Sequence, residues 1–599
     1  MSALRSFFHA ALIFACLTAI SVLAQTRGGG GGGGGASTTR TSTGSAPRMN
    51  NPGFPGGVAP HMASEEGKLE FRTETILVQV PVVVTDKNGN HIHGLSKDNF
   101  RVLENGREQT ISNFEEIVAS TAKIAPPVVA PGEFSNLTLS EKQPRAVTVI
   151  ALDTINTPFL DQTYGRRELV KYLAKNLDTN QVLALMIITS HGIKIVQGLT
   201  GDPAHLLEVL KKVTGEIPGN QGIDLDVQAD AATGDIPEVP SASPGADPTA
   251  AMDAFVERGD AIYAQFQQQN AIESTLDAFR AIAWSLSGVP GRKALIWATG
   301  GFPFVISSPD VVPGGYLAAL YERTMQALTD SQISVYPVDV RGLVNSTGLA
   351  DSSKSRAPTV RQMTNRMWLQ QSTIDSLTEF ADMTGGKAFY NSNDLAGSFK
   401  RAADDGSSYY LLGYYLDTKN NHAGWRQLKV KVDKKDTEVR ARKGFFVTNA
   451  TIRAELTRNS DMSYALSSPI EGTGLPVTLK WLGVSTDGNK NDGDKKKTQL
   501  LVRLPPNSLS VVGQDQNQLN FEFALAAYAN KSKDGKPAFT QGKTMNPTLT
   551  PQRLATLRTD DIGFTDAIEL APGQYSVRVV IRDNATGKIG SVTAPLTVN

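Results

Sequence analysis

The stretch AVTVIALDTINTPF, residues 146–159, holds the residue types that best fit a metal site in this chain. An apolar run ends at Asp153, and the hydroxyl of Thr157 follows four residues later. A carboxylate at the carboxyl end of a buried strand, followed by a hydroxyl, offers the hard oxygens that Mg²⁺ prefers. Ile155 lies between them and has no side-chain oxygen. The stretch therefore predicts either a weakened metal site or a structural corner in which backbone amides satisfy Asp153.

The position of Asp153 depends on the order of the elements in residues 145–403. Apolar runs typical of buried strands alternate there with stretches of helical spacing, and the strand candidates are AVTVIALD, VLALMIIT, IKIVQGL, RKALIWAT and ISVYPVDV. This alternation predicts a mostly parallel sheet with helices on both faces. Right-handed crossovers make such a domain doubly wound, and its ligands are expected at the carboxyl ends of the strands.

Two β-rich segments flank this α/β domain, at residues 67–144 and 404–447. The first contains Asn-Gly at 88–89 and at 105–106, and Asn-Gly between alternating strands predicts hairpins. In the second, LKVKV alternates cleanly after the turn KNNHAG. Either segment alone would leave sheet edges unpaired. We therefore predict one β-sandwich, split by the insertion of the α/β domain.

Residues 214–255 interrupt the α/β domain with Gly, Pro, Ala, Ser and acidic residues, and they contain no Lys or Arg. Calcium ligation by Asp224, Asp226 and Asp230 is one interpretation, but their spacing lacks the central Gly and final Glu of a calcium loop. We predict an acidic flexible insertion instead. Residues 448–476 read as a linker, and the strand candidates of residues 477–599 predict a C-terminal immunoglobulin-like β-sandwich.

The N-terminus has the pattern of an export signal. Arg5 precedes the apolar stretch AALIFACLTAISVLA, which ends at a plausible cleavage site after Ala24. We predict a signal peptide at 1–24, followed by a disordered Gly/Ser/Thr-rich tether at 25–66. Cys16, the single cysteine of the chain, lies in the signal, and lipidation at Cys16 is the alternative. No later segment is long and apolar enough to cross a bilayer, so we expect a protein of the periplasm, the outer surface or the exterior.

The composition excludes some classes of partner and offers little support for an enzyme. Lys+Arg and Asp+Glu number 59 each, so no overall charge attracts nucleic acid or an anionic membrane. The sequence has no G-x-S-x-G, H-E-x-x-H or nucleotide-binding loop. His91 and His93 form a pair that could hold zinc, but a third ligand is not evident, and exposure at a turn explains the pair. We predict a protein that is not an enzyme.

With Asp153 after its first strand and its alternating strands and helices, the insertion resembles a von Willebrand factor A (VWFA) domain. In that family D-x-S-x-S, a distant Thr and a T-D-G after the fourth strand hold a divalent ion. Carried over by position, Asp153 matches the first acid, Thr157 the last hydroxyl and Thr299 the threonine of the fourth strand. Ile155 and Gly300 stand where two oxygen ligands are expected.

Asp339 ends the strand that follows, which the family's strand order places beside the fourth. It would then share the rim with Asp153, although a salt bridge between Asp339 and Arg341 is the interpretation that we favour. The resemblance thus implies a degenerate metal site at Asp153, Thr157, Thr299 and Asp339, with weak Mg²⁺ binding at most and no other cofactor.

A narrower resemblance covers roughly residues 70–450 and is to the acidobacterial VWFA-related proteins, a largely uncharacterised group. The phrases that carry it are VQVPVVVTDKNGNHIHGLSKDNFRVLENG, GRKALIWATGGFP, ISVYPVDVRGL, GGKAFYNSNDL, SYYLLGYYLD and VRARKGFFV. It implies an exported interaction module. We therefore expect a non-enzymatic binding or adhesion protein that takes a protein or a surface polymer at the upper rim of the inserted domain. A structural component of an envelope or secretion assembly is the alternative, and an enzyme of unrecognised type the third.

Overall fold

The computed structural model describes residues 77–118, 129–136, 146–176, 181–219, 225–233, 248–302, 316–343, 360–416, 424–447, 450–485, 495–513, 517–530 and 535–599. Its strands are β1 (Leu77–Asp86), β2 (Phe100–Glu104), β3 (Arg107–Gln109), β4 (Asn113–Val118), β5 (Glu133–Ser135), β6 (Val147–Asp153), β7 (Val182–Thr189), β8 (Gly192–Thr200), β9 (Lys293–Thr299), β10 (Ile333–Asp339), β11 (Ser408–Tyr415), β12 (Gly424–Val432), β13 (Thr437–Arg440), β14 (Gly444–Val447), β15 (Thr478–Ser485), β16 (Lys496–Leu504), β17 (Val511–Val512), β18 (Gln518–Leu519), β19 (Phe521–Ala529), β20 (Phe539–Met545), β21 (Ile562–Leu570), β22 (Gly573–Asp583) and β23 (Ile589–Val598). Its helices are α1 (Phe159–Lys175), α2 (Pro203–Lys211), α3 (Leu225–Thr233), α4 (Pro248–Leu286), α5 (Tyr316–Asp330), α6 (Val360–Thr384), α7 (Leu395–Asp404), α8 (Ala450–Ser467) and α9 (Pro551–Thr556). The chain is thus mixed α/β, as predicted.

The α/β domain is built on a five-stranded sheet in the order β10-β9-β6-β7-β8, in which β8 alone runs antiparallel to its neighbour. Helices cover both faces. Phe279 of α4, Tyr321 of α5 and Phe380 of α6 pack in the core on one face, and Leu169 of α1 and Phe399 of α7 pack in the core on the other. Burial on both sides explains why the parallel strands are continuous apolar runs.

The segments before and after this domain interleave in two sheets. One sheet has the order β13-β1-β11-β4 and the other the order β14-β12-β2-β3, so each combines strands from both ends of the insertion. In the register, Leu77 faces Tyr415 and Glu104 faces Leu428. The shared core includes Val80 from the first segment together with residues of the second. The two segments therefore depend on each other for their edges and their core.

Tyr410 offers a test of this dependence. Its ring packs 5.0 Å from Phe100 and 5.8 Å from Phe114, and its hydroxyl accepts a hydrogen bond from Leu95 N and donates one to Ile92 O. Tyr410→Ala should lower the free energy of unfolding by about 3–5 kcal/mol, because it removes a buried ring between the two segments. Tyr410→Phe, which keeps the ring, should cost only about 1–2 kcal/mol. Urea unfolding followed by circular dichroism measures both, and a cost below about 1 kcal/mol for the alanine variant would contradict a shared core.

The C-terminal domain is a β-sandwich whose boundaries differ from the prediction. Its antiparallel sheets have the orders β21-β16-β15-β5 and β20-β19-β22-β23, with one core between them. Strand β5 belongs to it, although residues 133–135 were assigned by sequence to the split sandwich. Asn136 explains the difference: its buried amide donates to Gly472 O and Leu475 O, and its side-chain oxygen accepts from Val477 N. Three residues form too short a strand to be assigned by pattern, so their partner decides the domain.

The segment 448–476 was predicted to be a linker, and this prediction is wrong for most of its length. Helix α8 packs Met462, Ala465 and Leu466 against Ala524 and Val580 of the C-terminal sandwich. These three residues of α8 lie three and four positions apart, so they share one face of the helix. An apolar helix face of this kind is normally covered by another part of the protein. Helix α8 is therefore part of the C-terminal domain.

The acidic segment 214–255 was predicted to be a flexible insertion, but two of its three described stretches, residues 225–233 and 248–255, are helical. Helix α3 lies within it, and α4 begins at Pro248. Asp226 is buried and pairs with Arg366 of α6, while Asp230 accepts from Asn365 Nδ2 at 2.6 Å. These acids find their partners about 140 residues further along the chain, so the local sequence shows no partner for them. Asp224 lies outside the described residues.

The predicted signal 1–24, with Cys16, and the tether 25–66 lie outside the described residues as well. Of the helices within the described residues, none combines the length and the apolar character that crossing a membrane requires.

Candidate functional site

The ends of three strands bring the predicted site residues to one edge of the α/β sheet. Strand β9 lies between β6 and β10. Thr299 is level with Asp339 on β10, and the residue before Thr299 is level with the residue before Asp153 on β6. Asp153, Thr299 and Asp339 therefore form a row across the upper rim.

Asp153 is 2% exposed and accepts five hydrogen bonds. Its Oδ1 accepts from Ile155 N at 3.1 Å and Asn156 N at 3.0 Å. Its Oδ2 accepts from Asn156 Nδ2 at 2.8 Å, Trp297 Nε1 at 2.9 Å and Thr299 Oγ1 at 2.9 Å. Burial raises the pKa of Asp153, and the donors oppose the rise. Backbone amides of the following turn thus satisfy one oxygen, and side chains satisfy the other.

Thr157 and Gly300 close the corner. Thr157 Oγ1 accepts from Gly300 N at 2.8 Å, so this hydroxyl binds backbone. A Cβ on residue 300 would lie 2.9 Å from Asn156 O and 2.9 Å from Pro158 Cδ. Real Cβ atoms do not approach other atoms so closely, so an aspartate at this position would require the backbone to move. Gly300 therefore lacks a ligand oxygen, and the close packing of the corner also requires a residue without a side chain at this position.

Asp339 is held by Arg341. Oδ1 accepts from Arg341 N at 3.0 Å and Nε at 2.9 Å, and Oδ2 accepts from Nη2 at 2.8 Å. This two-pronged pair occupies both oxygens of a buried carboxylate. The favoured interpretation, a salt bridge, is what the structure shows, and no contact joins Asp339 to Asp153 among the described residues.

The four predicted residues do not fit a bound Mg²⁺ in this arrangement. A carboxylate offers about four lone-pair positions, and the five donors around Asp153 already use them. An ion would have to displace Trp297, Thr299 or the backbone amides. Within the described ranges, moreover, no group of three or more His, Cys, Asp and Glu is arranged to hold a metal. The rim chemistry is that of a hydrogen-bonded corner.

Glu216 is a rim residue that sequence reasoning did not single out. Its carboxylate accepts from Thr154 Oγ1 at 3.1 Å and from Ser190 Oγ at 2.8 Å. Its backbone is held on both sides by Gln162, whose Oε1 accepts from Glu216 N and whose Nε2 donates to Glu216 O. Beside Asp153 a cavity of about 30 Å³ remains, room for one or two water molecules and too small for an organic ligand.

A row of exposed apolar side chains follows the first half of α4. We call it the α4 stripe, and its members are Met252, Phe255, Val256, Ile262, Tyr263 and Phe266, which are 48–64% exposed. Ala261 and Ala264, on another face of the same helix, are fully buried. The large apolar residues therefore point away from the domain, while alanines provide the packing.

Helix α3 connects this part of α4 to the start of α6. Gln268 Nε2 donates to Gln228 O of α3, and Asp226 of α3 pairs with Arg366 of α6. Exposed apolar residues recur on α6, at Val360, Met363 and Met367. The α4 stripe has a sequence signal, since on either side of Gly259 its members lie three or four residues apart, which is helical spacing. The acidic and small residues around the stripe make this spacing hard to recognise in the sequence.

The histidine pair is explained by ordinary contacts. His91 Nε2 lies 3.2 Å from Asp404 O, and His93 Nδ1 lies 2.8 Å from Glu116 Oε1. The two rings thus have different partners.

Comparison with known proteins yields no family. No protein-family model matches the chain, and no curated protein matches it. Among solved structures it is similar to the human COPII-coat protein Sec24c, with 9% sequence identity over 59% of this chain and a TM-score of 0.17. The similarity spans 49% of that protein's chain. A TM-score of this size supports no conclusion about function.

Proposed function

We propose that this chain is an exported binding protein whose inserted domain is of the VWFA type and holds a protein partner at its upper rim. The sheet order with a single antiparallel edge strand supports the domain type. The hydrogen-bonded corner at Asp153 supports binding without a metal. The apolar stretch that follows Arg5 and ends at Ala24 supports export.

The α4 stripe is the observation that carries the proposal. It lies N-terminal to Thr275 of α4, whose hydroxyl accepts a hydrogen bond from Asn156 Nδ2 of the rim at 2.9 Å. Soluble proteins seldom expose so many large apolar side chains along one helix, and such surfaces mark interaction sites. Anchors at helical spacing are typical of a helix that lies in an apolar groove of its partner. A protein with such a groove therefore fits the stripe better than a polar surface polymer, which would cover few apolar side chains.

Removing two aromatic anchors should abolish binding. In the double variant Phe255→Ser, Phe266→Ser each lost ring should cost about 2 kcal/mol of binding free energy, roughly thirtyfold in Kd. Partners captured from envelope fractions by the mature chain, and then measured as purified proteins by calorimetry, provide the readout. The thermal unfolding of the chain should change little, because both rings are exposed.

Leu482→Ser is the matched control, since Leu482 is 48% exposed on the C-terminal sandwich and far from α4 in sequence. A partner kept by the control and lost by the double variant supports the proposal. A partner bound equally by both contradicts it. Sedimentation velocity tests the alternative that the chain is a structural component of an assembly. If a second copy of the chain bound the stripe, the wild type would dimerise as its concentration rises, and the double variant would stay monomeric.

A further inference from the structure

A cavity of about 570 Å³ lies where the split sandwich, the α/β domain and the C-terminal domain meet. Val78 of β1, Trp284 of α4 and Ile589 of β23 each line it, so all three domains contribute walls. Small-molecule sites commonly have this volume and this position between domains. The exposed residues Asp330 and Lys588 place part of the lining at the surface, which gives solvent access.

The lining is strongly cationic. Five of its side chains are basic and two are acidic, so its formal net charge is +3. The basic residues are Arg280, Arg323, Arg442, Arg582 and Lys588, and the acidic residues are Asp330 and Asp461. Asp461 lies 3.2 Å from Arg582 and 3.7 Å from Arg280, and Arg280 also pairs at 3.0 Å with Asp277, which lies outside the lining. Arg323, Arg442 and Lys588 have no carboxylate within ion-pair distance among the described residues, so the lining keeps an excess of positive charge. Concentrated positive charge between low-dielectric walls attracts anions.

Arg442 is an arginine of the lining that has no ion pair within the part of the chain that the structure describes. Its Nη2 donates to Gln79 O at 2.9 Å, and its guanidinium lies 5.3 Å from the centre of the Phe445 ring. Among the described residues no carboxylate lies within ion-pair distance of it, and its Nε is buried without a hydrogen-bond partner. Burial lowers the pKa of Arg442 to about 10. A charged guanidinium held in this way gains most from an anion, since planar donors match carboxylate and phosphate oxygens.

The rest of the wall is apolar and partly aromatic. Trp284, Phe445, Phe446 and Leu416 line the same cavity. Phosphate alone would leave these side chains facing water, whereas a ligand with a ring or an alkyl body would cover them. The lining thus combines two requirements, a negative group and an apolar body.

We propose that this cavity binds an amphipathic organic anion, with a carboxylate or phosphate among the basic side chains and an apolar or aromatic body against Trp284 and Phe445. The site is separate from the α4 stripe and does not depend on the function proposed for it. Because its walls come from three domains, an occupant would also fasten these domains together.

Titration calorimetry on the mature full-length chain tests the ligand class. The probes are 1-naphthyl phosphate and 1-naphthoate, with inorganic phosphate and 1-naphthol as the charge-only and ring-only controls. At least one naphthyl anion should bind, and both controls should bind at least about tenfold more weakly. The stronger of the two anions identifies the acid group. If neither naphthyl anion binds, or if 1-naphthol binds as well as they do, the proposal is wrong.

Variants locate the binding. Arg323→Gln with Lys588→Gln removes two positive charges from the lining, and neither side chain forms an ion pair among the described residues. This double variant should weaken the preferred anion about tenfold or more. Lys211→Gln with Lys429→Gln removes the same charge from exposed positions outside the cavity and should leave affinity unchanged. Equal affinity of the cavity variant and wild type would show that the anion binds elsewhere and overturn the assignment.

Discussion

Asp405→Ala should lower the free energy of unfolding by about 3–5 kcal/mol, because it leaves the buried Arg292 and the partly buried Arg440 without their carboxylate. Asp405 pairs with Arg440 and lies 3.6 Å from Arg292, which is 2% exposed. The hydroxyl of Tyr336 donates to it at 2.5 Å. Urea unfolding of the variant and wild type at neutral pH measures the difference.

This network joins the base of the α/β domain to the split sandwich. Arg292 precedes β9 and also donates to the carbonyls of Asp405 and Gly385, at 3.0 and 2.8 Å. Asp405 precedes β11, and Arg440 ends β13. Loss of this network should therefore weaken both domains together. Circular dichroism and tryptophan fluorescence, to which the buried Trp297 contributes, should report the same shifted transition.

The stability difference between wild type and Asp405→Ala should become smaller at low pH. Burial by itself would raise the pKa of Asp405, but the guanidinium groups of Arg292 and Arg440 outweigh burial and hold the pKa below its usual range. A lowered folded-state pKa contributes stability that is fully present above the unfolded value, near 3.9, and is lost as pH falls through the folded value. The difference between wild type and Asp405→Ala should thus shrink below about pH 4.

Asp433→Ala is the control for removing an aspartate as such. Its partner Arg101 lies at 3.1 Å, and both side chains are more than half exposed, so the pair is solvated. Exposed pairs contribute about 1 kcal/mol or less. If Asp433→Ala cost as much as Asp405→Ala, the buried network would have no special role.

The parallel sheet was predictable because its signal is local. Strands β6, β7, β9 and β10 are buried on both faces, and each appears in the sequence as an unbroken apolar run. The network around Asp405 was not predictable, because its charges come from positions far apart in the chain. Helix α3 was missed for the same reason, since Arg366 satisfies Asp226 from another helix.

At the rim, too, the residue types could be predicted from the sequence, but their hydrogen-bond partners could not. The acid at the end of β6 could be found from residue types, and Asp339 from the strand that follows. The donors that saturate Asp153 could not, because Trp297 reads in the sequence as one more apolar strand residue. Sequence reasoning counted the ligands missing at Ile155 and Gly300. The structure adds that the ligands still present are already bonded to the protein.

Asp153→Asn should destabilise the chain by about 3 kcal/mol while leaving its response to metal unchanged. An asparagine has one acceptor oxygen, so its amide nitrogen would face either two or three of the donors that now bind Asp153. Buried donors without a partner cost about 1–3 kcal/mol each, part of which relaxation recovers. Thermal unfolding in EDTA measures the loss, and Ser190→Ala, which removes a donor to half-buried Glu216, should cost much less.

The same melts repeated in 1 mM Mg²⁺ or Mn²⁺ test the corner directly. An ion that must displace donors already bound to Asp153, such as Trp297 or Thr299, should bind with a Kd of about 1 mM or weaker. The stabilisation RT ln(1 + [L]/Kd) is then about 0.4 kcal/mol or less, a shift of about 1 °C or less in Tm for a chain of this size. A rise of several degrees that Asp153→Ala or Asp339→Ala abolishes would show the opposite. The ion would then have opened the hydrogen-bonded corner, and Asp339 would have left Arg341 to supply the oxygen that Gly300 lacks.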